Sequence, residues 1–380
     1  MGATFELMDN TNTKQSNVFP FGSSKRNLKV LLVEPRRSNK YHSRYPPLGL
    51  LKLAAYHHNR GDQVELISGF SNDGDDPDVI YVTSLFTYAW EPVHEVIRFH
   101  TAKYKRTPVI VGGIYASLCR DHMNETFGDR INVWEGLVPE IEEIMPAYWL
   151  VPEWKASILF SSRGCIRKCP FCSVTQLEPK FEAKESIKHL VHSDHKKIVF
   201  WDNNFLASPH RESILDELQE LRLEVDFNQG IDARLLTEEL AVHLCMLKIP
   251  VVRLAYDSDS VRESLKNAIE LLKGLGVDRR RIIVYCLYNY DDTPEGFLER
   301  IKDLINWGVV SYPMRYQSLK PEPKDSYVCP NWTKQQLEMV AQARRVIGYG
   351  GAFPPYEGLK KKFTNARTFE EAFKLRPHRV

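Results

Sequence analysis

The sequence contains no long apolar run, no large excess of either charge and no repeated or low-complexity segment. No stretch approaches the roughly 20 consecutive apolar residues that a membrane-spanning helix needs, so we expect no membrane partner. The formal net charge of +2 over 380 residues provides no overall field that would attract nucleic acid or a membrane surface. With 43% hydrophobic residues the chain has the composition of a globular protein, and its length allows two domains with separate cores.

The cysteines do not form a set that could pair completely into disulfides. There are seven of them, an odd number, and three lie close together at Cys165, Cys169 and Cys172. Secreted disulfide frameworks have even, regularly spaced cysteines, so this set indicates a reducing compartment, for which we expect the cytoplasm, and a metal site. Residues 1–25 are rich in Asn, Thr, Ser and Gly and lack an apolar core, so they predict a flexible tail and not a secretory signal.

Short β-branched apolar runs alternate with helical patterns in the first part of the chain. The run 29–34 (KVLLVE) is typical of a buried parallel strand, and a helical pattern opens at Pro46-Pro47-Leu48-Gly49. Five strands are predicted here, at 29–34, 63–68, 78–84, 108–113 and 130–134. Further helices are predicted at 92–104 and 139–144. This alternation indicates an α/β fold, with a doubly wound parallel-sheet domain at residues 26–150.

A second alternation follows a proline- and tryptophan-bearing linker at residues 146–154. Six strands are predicted, at 157–161, 197–201, 225–228, 251–255, 281–287 and 310–315. Helix-like stretches are predicted between them, at 211–222, 237–246, 260–275 and 294–307. A complete (β/α) barrel has eight strands, so six predict a partial (β/α)6 barrel at residues 151–326. Residues 327–380, helical near 333–346, predict a small C-terminal extension that serves as a cap or docking region.

The strongest chemical signal is the segment from Gly164 to Cys172, with sequence GCIRKCPFC, which follows the first predicted strand of the second part. In a parallel α/β barrel such a loop lies at the carboxyl-end face, where active sites are built. Three thiolates on one short loop can hold three irons of a 4Fe–4S cubane and leave the fourth iron without a protein ligand. Structural zinc is the alternative, but zinc normally takes four ligands in a closed tetrahedron. The later cysteines are scattered through helix, strand and loop contexts: Cys245, Cys286 and Cys329.

The CxxxCxxC spacing, with Phe171 immediately before the third cysteine, resembles the signature of the radical S-adenosylmethionine superfamily. The resemblance covers roughly residues 157–319. It implies that a 4Fe–4S cluster on Cys165, Cys169 and Cys172 reductively cleaves S-adenosylmethionine into methionine and a 5′-deoxyadenosyl radical, which attacks an organic substrate of unknown class. It also implies that Phe171 packs beside the adenine and that a reductase, a flavodoxin or a ferredoxin supplies the electron.

The same resemblance implies further S-adenosylmethionine contacts at the carboxyl ends of later strands. Members often carry a Gly-Gly-Glu-like segment after the second strand, where this chain has Trp201-Asp202-Asn203-Asn204-Phe205. The departure leaves that role to Asp202 or Asn203 by position only. After the third strand, the segment 228–234 (NQGIDAR) offers polar side chains at the same face, and Gln229 is the candidate taken from it.

Two candidates on the fourth and fifth strands of this series have equally good alternatives. Arg253 could pair with the methionyl carboxylate, since its guanidinium presents a fork that suits a carboxylate. It could instead form a salt bridge to Asp257 or Asp259. Tyr288, near the end of the fifth strand, could face adenine, ribose or substrate, or serve as a packing residue.

The first part of the chain resembles the cobalamin-binding-type domain that precedes many radical S-adenosylmethionine domains. The resemblance rests on the segment 45–50 (YPPLGL) and on the segment 111–117 (VGGIYAS). The candidate cobalamin contacts are Tyr45, Leu48, Gly112, Gly113, Tyr115 and Ser117. The family's Asp-x-His-x-x-Gly motif, whose His ligates cobalt, is absent from the sequence, and His42 is a lone candidate. Three states stay open: cobalamin without a lower ligand, the same fold without a corrin, or a domain that helps to hold the substrate.

The expected reaction depends on that choice. With cobalamin, methylation at an unactivated carbon is implied; without it, a rearrangement, cyclisation or dehydrogenation. A second possibility is radical modification of a nucleotide or nucleic acid, in which Lys360–Lys362 and Arg367 contact phosphates. A third is a non-catalytic iron–sulfur or zinc module, which is disfavoured because an electron carrier would use four protein ligands.

Overall fold

The computed structural model describes residues 27–35, 45–70, 76–350, 352 and 357–374. The predicted flexible tail at 1–25 and the candidate His42 lie outside the described residues. The chain divides into two compact units, Met1–Pro152 and Glu153–Val380.

The first unit is built on a five-stranded sheet in which every pair of neighbours is parallel. Its strands are β1 (Lys29–Glu34), β2 (Gln63–Ser68), β3 (Val79–Ser84), β4 (Val109–Gly113) and β5 (Asn132–Val133). Their spatial order is β2-β1-β3-β4-β5. The order reverses beside β1, so the chain runs outward from β1 to one edge and then to the other, as in open α/β sheets.

Both faces of this sheet are covered. The covering helices are α1 (Leu48–Asn59), α2 (Trp90–Lys103), α3 (Ile114–Leu118) and α4 (Arg120–Phe127). Successive residues of β1 alternate between two apolar clusters, with Leu31 and Val33 in one and Val30 and Leu32 in the other. Buried β-branched and leucine residues on both faces explain why these strands occur as continuous apolar runs. The predicted α/β class with a parallel sheet is confirmed.

One predicted helix of this unit is wrong. The segment predicted as a helix at 139–144 forms a single 3-10 turn at Pro139–Ile141. Its backbone bonds join residues three apart, as in Ile144 N–H to the carbonyl of Ile141 at 3.2 Å. Pro146 follows two residues later, and a residue before a proline is pushed away from helical backbone angles, so the turn does not extend.

The second unit contains two three-stranded parallel sheets. The strands and one small hairpin are β6 (Ala156–Leu159), β7 (Ser162–Arg163), β8 (Glu182–Ala183), β9 (Lys197–Phe200), β10 (Glu224–Phe227), β11 (Val252–Ala255), β12 (Ile282–Tyr288) and β13 (Val310–Arg315). The two sheets have the orders β10-β9-β6 and β11-β12-β13, while β7 and β8 pair antiparallel. Backbone bonds link β10 and the loop after it to the segment around β11, from Val225 N–H to the Lys248 carbonyl at 2.9 Å and from Ile231 N–H to the Arg253 carbonyl at 2.8 Å.

Helices separate the strands of this unit and continue beyond them. They are α5 (Val174–Leu177), α6 (Arg211–Leu221), α7 (Glu238–Met246), α8 (Arg262–Gly274), α9 (Pro294–Trp307), α10 (Lys334–Gly350), α11 (Glu357–Asn365) and α12 (Phe369–Phe373). Threonine side chains cap two of them, because Thr237 accepts the Leu240 amide and Thr293 accepts the Gly296 amide. None of the described helices is long and apolar enough to cross a membrane.

The C-terminal extension packs into the core of the second unit. Phe363, Phe369 and Phe373 are fully buried, and Phe373 stacks on Phe297 of α9 with ring centroids 5.8 Å apart. Trp332 also meets the ring of Phe297. These residues belong to the same apolar cluster as the strands. The described part of the extension therefore completes the core of this unit.

Candidate functional site

The segment from Gly164 to Cys172, here named the cysteine loop, leaves the carboxyl end of the first strand of the second unit. The chain passes through β7, forms the loop and helix α5, and returns through β8, which pairs with β7. The Lys184 amide then donates to the Ser161 carbonyl at 2.8 Å. The loop is thus closed at its base by backbone bonds, and its cysteines lie at the carboxyl edge of the parallel strands.

A buried carboxylate holds that base. Asp202, which follows β9, is 2% exposed. It accepts the Ser161 amide at 2.9 Å and the Ser162 hydroxyl at 2.8 Å, and the Ser161 hydroxyl also donates to it. Burial raises the pKa of Asp202, although these hydrogen bonds act to lower it. The oxygens of this predicted S-adenosylmethionine contact are therefore engaged by the chain itself.

A second carboxylate, that of Glu178, holds the start of the cysteine loop. It accepts the Gly164 amide at 2.6 Å, the Arg163 guanidinium at 3.1 Å and the Asn203 side-chain amide at 3.0 Å. Gly164 has φ +73°, and a Cβ there would lie 2.2 Å from the Lys180 carbonyl oxygen. Only glycine fits such a position without moving the backbone. Asn203, also predicted to contact S-adenosylmethionine, thus anchors the loop through Glu178.

A third carboxylate, that of Asp232 beyond β10, holds the middle of the loop. It accepts Arg167 Nε at 3.0 Å, Asn204 Nδ2 at 3.1 Å and Arg234 Nε at 2.7 Å. Burial alone would raise the pKa of Asp232, but the hydrogen bonds from Arg234 and Arg167 outweigh burial and hold the pKa below its ordinary value. Asp232 is therefore an ionised carboxylate that bonds the cysteine loop to the segments that follow β9 and β10.

The three thiols of the loop are half-buried. Cys165 Sγ accepts the Arg167 amide at 3.3 Å, and Cys172 Sγ accepts the Val174 amide, so each sulfur receives an N–H from two residues further on. Amide donors of this kind stabilise thiolates and tune clusters that thiolates hold. Burial, followed by the neighbouring thiols and Asp257, raises the pKa of Cys169. A metal bound by these thiols would therefore have to displace their protons.

The arrangement of these thiols bears on which group they could hold. Within the described ranges, no three side chains of His, Cys, Asp or Glu are gathered so that they could hold a metal ion. A structural zinc ion would need ligands that converge on one point. A cubane differs because each thiolate binds a separate iron. Cys165 and Cys172 are still near enough to Cys169 to affect its pKa. Three half-buried thiolates on one held loop are the donor set that a cubane with one open iron takes.

Two charged residues, Asp257 and Arg234, also act on the pKa of the thiols; the sequence predicts Arg234 at this face within the segment 228–234, and Asp257 only as an alternative partner of Arg253. Asp257, just beyond β11, acts on the pKa of both Cys169 and Cys172. Burial raises the pKa of Asp257 itself to about 6, against the opposing charges of Arg300 and Arg234. Arg234 acts on Cys169 in the opposite sense. The sequence signal that could have found both residues is their position. Each lies a few residues beyond the end of a predicted strand, and side chains at such ends meet at one edge of the sheet.

Phe171 contacts an aromatic side chain from another strand end of the second unit. Its half-exposed ring meets the edge of Tyr290, the second residue after β12, with centroids 5.7 Å apart. Tyr290 in turn meets Tyr316, the residue after β13, at 4.8 Å. A short row of aromatic rings therefore runs from the cysteine loop across the ends of the last two strands. Such rings offer flat faces to a planar ligand.

The remaining candidates of this unit are dispersed. Arg253 pairs with Asp226 on the adjacent strand, so the alternative partners Asp257 and Asp259 were wrong. Tyr288 is buried between Phe297 and Trp332, in agreement with the packing alternative. Successive side chains of a strand point to opposite faces, which turns Tyr288 toward the helices. Gln229 is exposed in the loop after β10 and bonds Asn228.

In the first unit, the two candidate glycines join neighbouring strands. Gly113 has φ +104°, and a Cβ there would lie 2.1 Å from the Ser84 carbonyl oxygen. The Ser84 hydroxyl donates to the Gly112 carbonyl at 2.9 Å and accepts the Ala116 amide at 3.0 Å. These glycines are therefore explained by the close approach of β3 to β4.

The side-chain candidates of this unit are likewise engaged. Ser117 donates to the Gly113 carbonyl at 2.8 Å and accepts the Gly136 amide at 3.0 Å. Tyr115 is completely buried, and its hydroxyl lies 2.7 Å from His94 Nε2 and 2.6 Å from His122 Nδ1. Leu48 is buried and Tyr45 half-buried. Each of these candidates therefore has a part in the packing or the backbone bonding of the first unit, whether or not a ligand binds there.

No protein-family model matches the sequence, and a comparison with curated proteins likewise gives no match. The function is therefore inferred from the residues of the site.

Proposed function

We propose that the chain is a radical S-adenosylmethionine enzyme whose 4Fe–4S cluster is held by Cys165, Cys169 and Cys172. The observation that carries the proposal is the cysteine loop itself. Three half-buried thiols lie on one loop at the carboxyl edge of parallel strands, and two of them accept backbone amides. When bound, a cluster with one open iron supplies the electron that cleaves S-adenosylmethionine into methionine and a 5′-deoxyadenosyl radical.

The six parallel strands of the second unit support a partial (β/α)6 barrel in this proposal. The order β6-β9-β10 continues through backbone bonds to β11-β12-β13, where Val225 and Ile231 donate to Lys248 and Arg253. Each strand end then contributes to a single carboxyl face. The cysteine loop after β6, Asp232 after β10 and Asp257 after β11 would share that face.

The residues of the face divide into those that hold the loop and those that can meet a ligand. Asp202 accepts the Ser161 amide at the base of the loop, and the side-chain amide of Asn203 donates to Glu178. Phe171 offers a half-exposed ring for adenine. Asp257 accepts no hydrogen bond from any described residue, so its carboxylate is the better candidate for a polar ligand contact. Asp257 is half-buried, and a carboxylate removed in part from water favours a polar ligand or a proton as its partner.

The proposed reaction does not include cobalamin. The candidate contacts Tyr115, Ser117 and Gly113 are engaged within the first unit, so no step is assigned to a corrin. The substrate is an organic molecule whose class the site does not define. A reductase, flavodoxin or ferredoxin is proposed as the physiological electron donor, since the cluster must be reduced before cleavage.

The test is anaerobic reconstitution with iron and sulfide, followed by dithionite and S-adenosylmethionine. Reconstituted protein should hold about four irons per chain and release 5′-deoxyadenosine. Cys169→Ala should reduce that product to the level seen without protein. Cys245→Ala, which removes an exposed cysteine of α7, should leave it unchanged. Equal turnover by Cys169→Ala and the unaltered chain would refute the cluster assignment.

A further inference from the structure

Three consecutive side chains after β9 each reach a different part of the cysteine loop or its supports. Asp202 accepts the Ser161 amide at the base of the loop. Asn203 donates to Glu178, which holds the start of the loop. Asn204, only 3% exposed, donates to Asp232, which holds the middle. One short segment therefore supports the loop at three separate points.

Asp232 is the most strongly connected of these supports. It joins Arg167, within the cysteine loop, to Arg234, whose positive charge acts on the thiol of Cys169. The side chain of Asp232 is 8% exposed, while that of Arg167 is 32% exposed. The contact thus reaches from the interior to the loop surface and crosses 65 residues of sequence. Charge-assisted hydrogen bonds of this type are about twice as strong as neutral ones.

We propose that Asp232 is a positioning residue, which fixes the cysteine loop through Arg167 and balances the charge of Arg167 and Arg234 beside the iron–sulfur cluster. The second part of this inference rests on the proposed function, whereas the first concerns the loop alone. Removing the carboxylate charge would release Arg167 and leave two guanidinium groups without their shared anion. Extra positive charge favours the more negative, reduced form of a nearby cluster.

The chain contains a matched control for this residue. Asp278 forms the same local turn, accepting the Arg280 amide at 2.8 Å and Arg280 Nε at 3.0 Å. Asp232 likewise accepts the Arg234 amide at 3.2 Å. The Asp278 turn precedes β12 and its arginine is an exposed surface residue. Asp232→Asn and Asp278→Asn therefore remove the same charge from two turns of the same kind. Only the turn of Asp232 is bonded to the cysteine loop.

The first measurement is hydrogen–deuterium exchange of the cysteine loop in protein without iron. A hydrogen bond to a charged group contributes about 1.5–3 kcal/mol, so Asp232→Asn should speed exchange there by roughly tenfold or more. Asp278→Asn should leave the loop unchanged. Arg167→Gln breaks the same contact from the loop side and should match Asp232→Asn. This second variant keeps the test decisive if Asp232→Asn fails to fold. If Asp232→Asn folds and exchange of the loop is unchanged, the positioning role is overturned. If Asp232→Asn does not fold, unchanged loop exchange in Arg167→Gln overturns it. An equal change of loop exchange in Asp278→Asn also overturns it.

The second measurement is the midpoint potential of the reconstituted cluster. Asp232→Asn should raise it, while Asp232→Glu, which keeps the charge, and Asp278→Asn should stay near the unaltered value. A residue that merely stabilised the fold would change thermal unfolding without this shift. A potential unaffected by Asp232→Asn overturns the electrostatic role. If the unaltered protein takes up no iron, the proposed function fails, while the exchange measurement still decides the positioning role.

Discussion

The two units end their parallel strands in opposite ways. In the first unit, polar groups at the carboxyl edge bind one another, as where Ser84 joins Gly112 and Ala116. In the second unit, the carboxyl edge carries half-buried thiols and the carboxylate of Asp257. The hydrogen bonds there hold the cysteine loop, as where Glu178 accepts the Gly164 amide. Strand direction alone therefore does not define a reactive edge. An edge becomes a candidate site when its supports leave reactive atoms unused.

A glycine with a positive φ marks each edge, and the pair offers the strongest way to test the comparison. Gly164→Ala would place a Cβ 2.2 Å from a carbonyl oxygen at the root of the cysteine loop. We expect iron uptake after reconstitution to fall by at least about tenfold, because strain of a few kcal/mol displaces the loop. Iron content per folded chain measures this. Normal iron content in Gly164→Ala would show that loop geometry does not control the site.

The corresponding change in the first unit should have a purely structural effect. Gly113→Ala places a Cβ 2.1 Å from the Ser84 carbonyl oxygen, so we expect a loss of about 3 kcal/mol or more in the unfolding free energy of this unit. Iron content should remain normal. Urea unfolding, followed by hydrogen–deuterium exchange of peptides from each unit, measures the unfolding free energy of each unit. Iron content per folded chain measures the site. Gly49→Ala, at a helical position of the same unit where the added Cβ meets nothing beyond the backbone of its own helix, is the control.

The buried histidines of the first unit predict that the stability of this unit falls in mild acid. Burial, followed by the charges of His122 and Arg98, lowers the pKa of His94 from 6.5 to about 4. Burial also lowers the pKa of His57. The unfolded chain therefore binds protons that the folded unit does not, and stability falls as pH decreases from about 6.5 toward 4.

The His94 contribution to this loss is up to about 3 kcal/mol, from the difference between the two pKa values. Urea midpoints of the first unit at several pH values measure it. His94→Gln should flatten the dependence in this range. An unchanged slope in that variant would assign the acid sensitivity to other groups.

The smallest expected effect concerns the hydroxyl of Tyr115. Tyr115→Phe removes the contacts to His94 and His122 and leaves buried nitrogen atoms without their partner. We expect a loss of about 1–3 kcal/mol in the unfolding free energy of the first unit. Iron uptake and 5′-deoxyadenosine release should not change. A loss of 5′-deoxyadenosine in this variant would mean that the first unit contributes to the reaction. That result would contradict the view that the side chains at the carboxyl edge of its sheet serve only its packing.

Much of the fold could be predicted because its signals are local. Each of the six strands predicted for the second unit is present within a few residues of its predicted bounds, and α9 matches its predicted range. The segment at 139–144 is the clearest failure, since Pro146 limits it to one turn. The roles of Asp202 and Asn203 were not predictable, because their partners Ser161 and Glu178 lie at least 25 residues away. Arg253 and Asp226 are separated by 27 residues and meet only because β10 and β11 are neighbours.

The sequence by itself determined the α/β alternation and the three closely spaced cysteines on one loop. Both follow from short-range patterns, namely apolar periodicity and ligand spacing along the chain. Only the tertiary structure decided which polar groups are engaged. It placed Glu178, Asp202 and Asp232 as supports of the cysteine loop and turned Tyr288 into the core. The physical reason is that a polar side chain binds the nearest buried partner, and that partner is set by strand order and not by distance along the sequence.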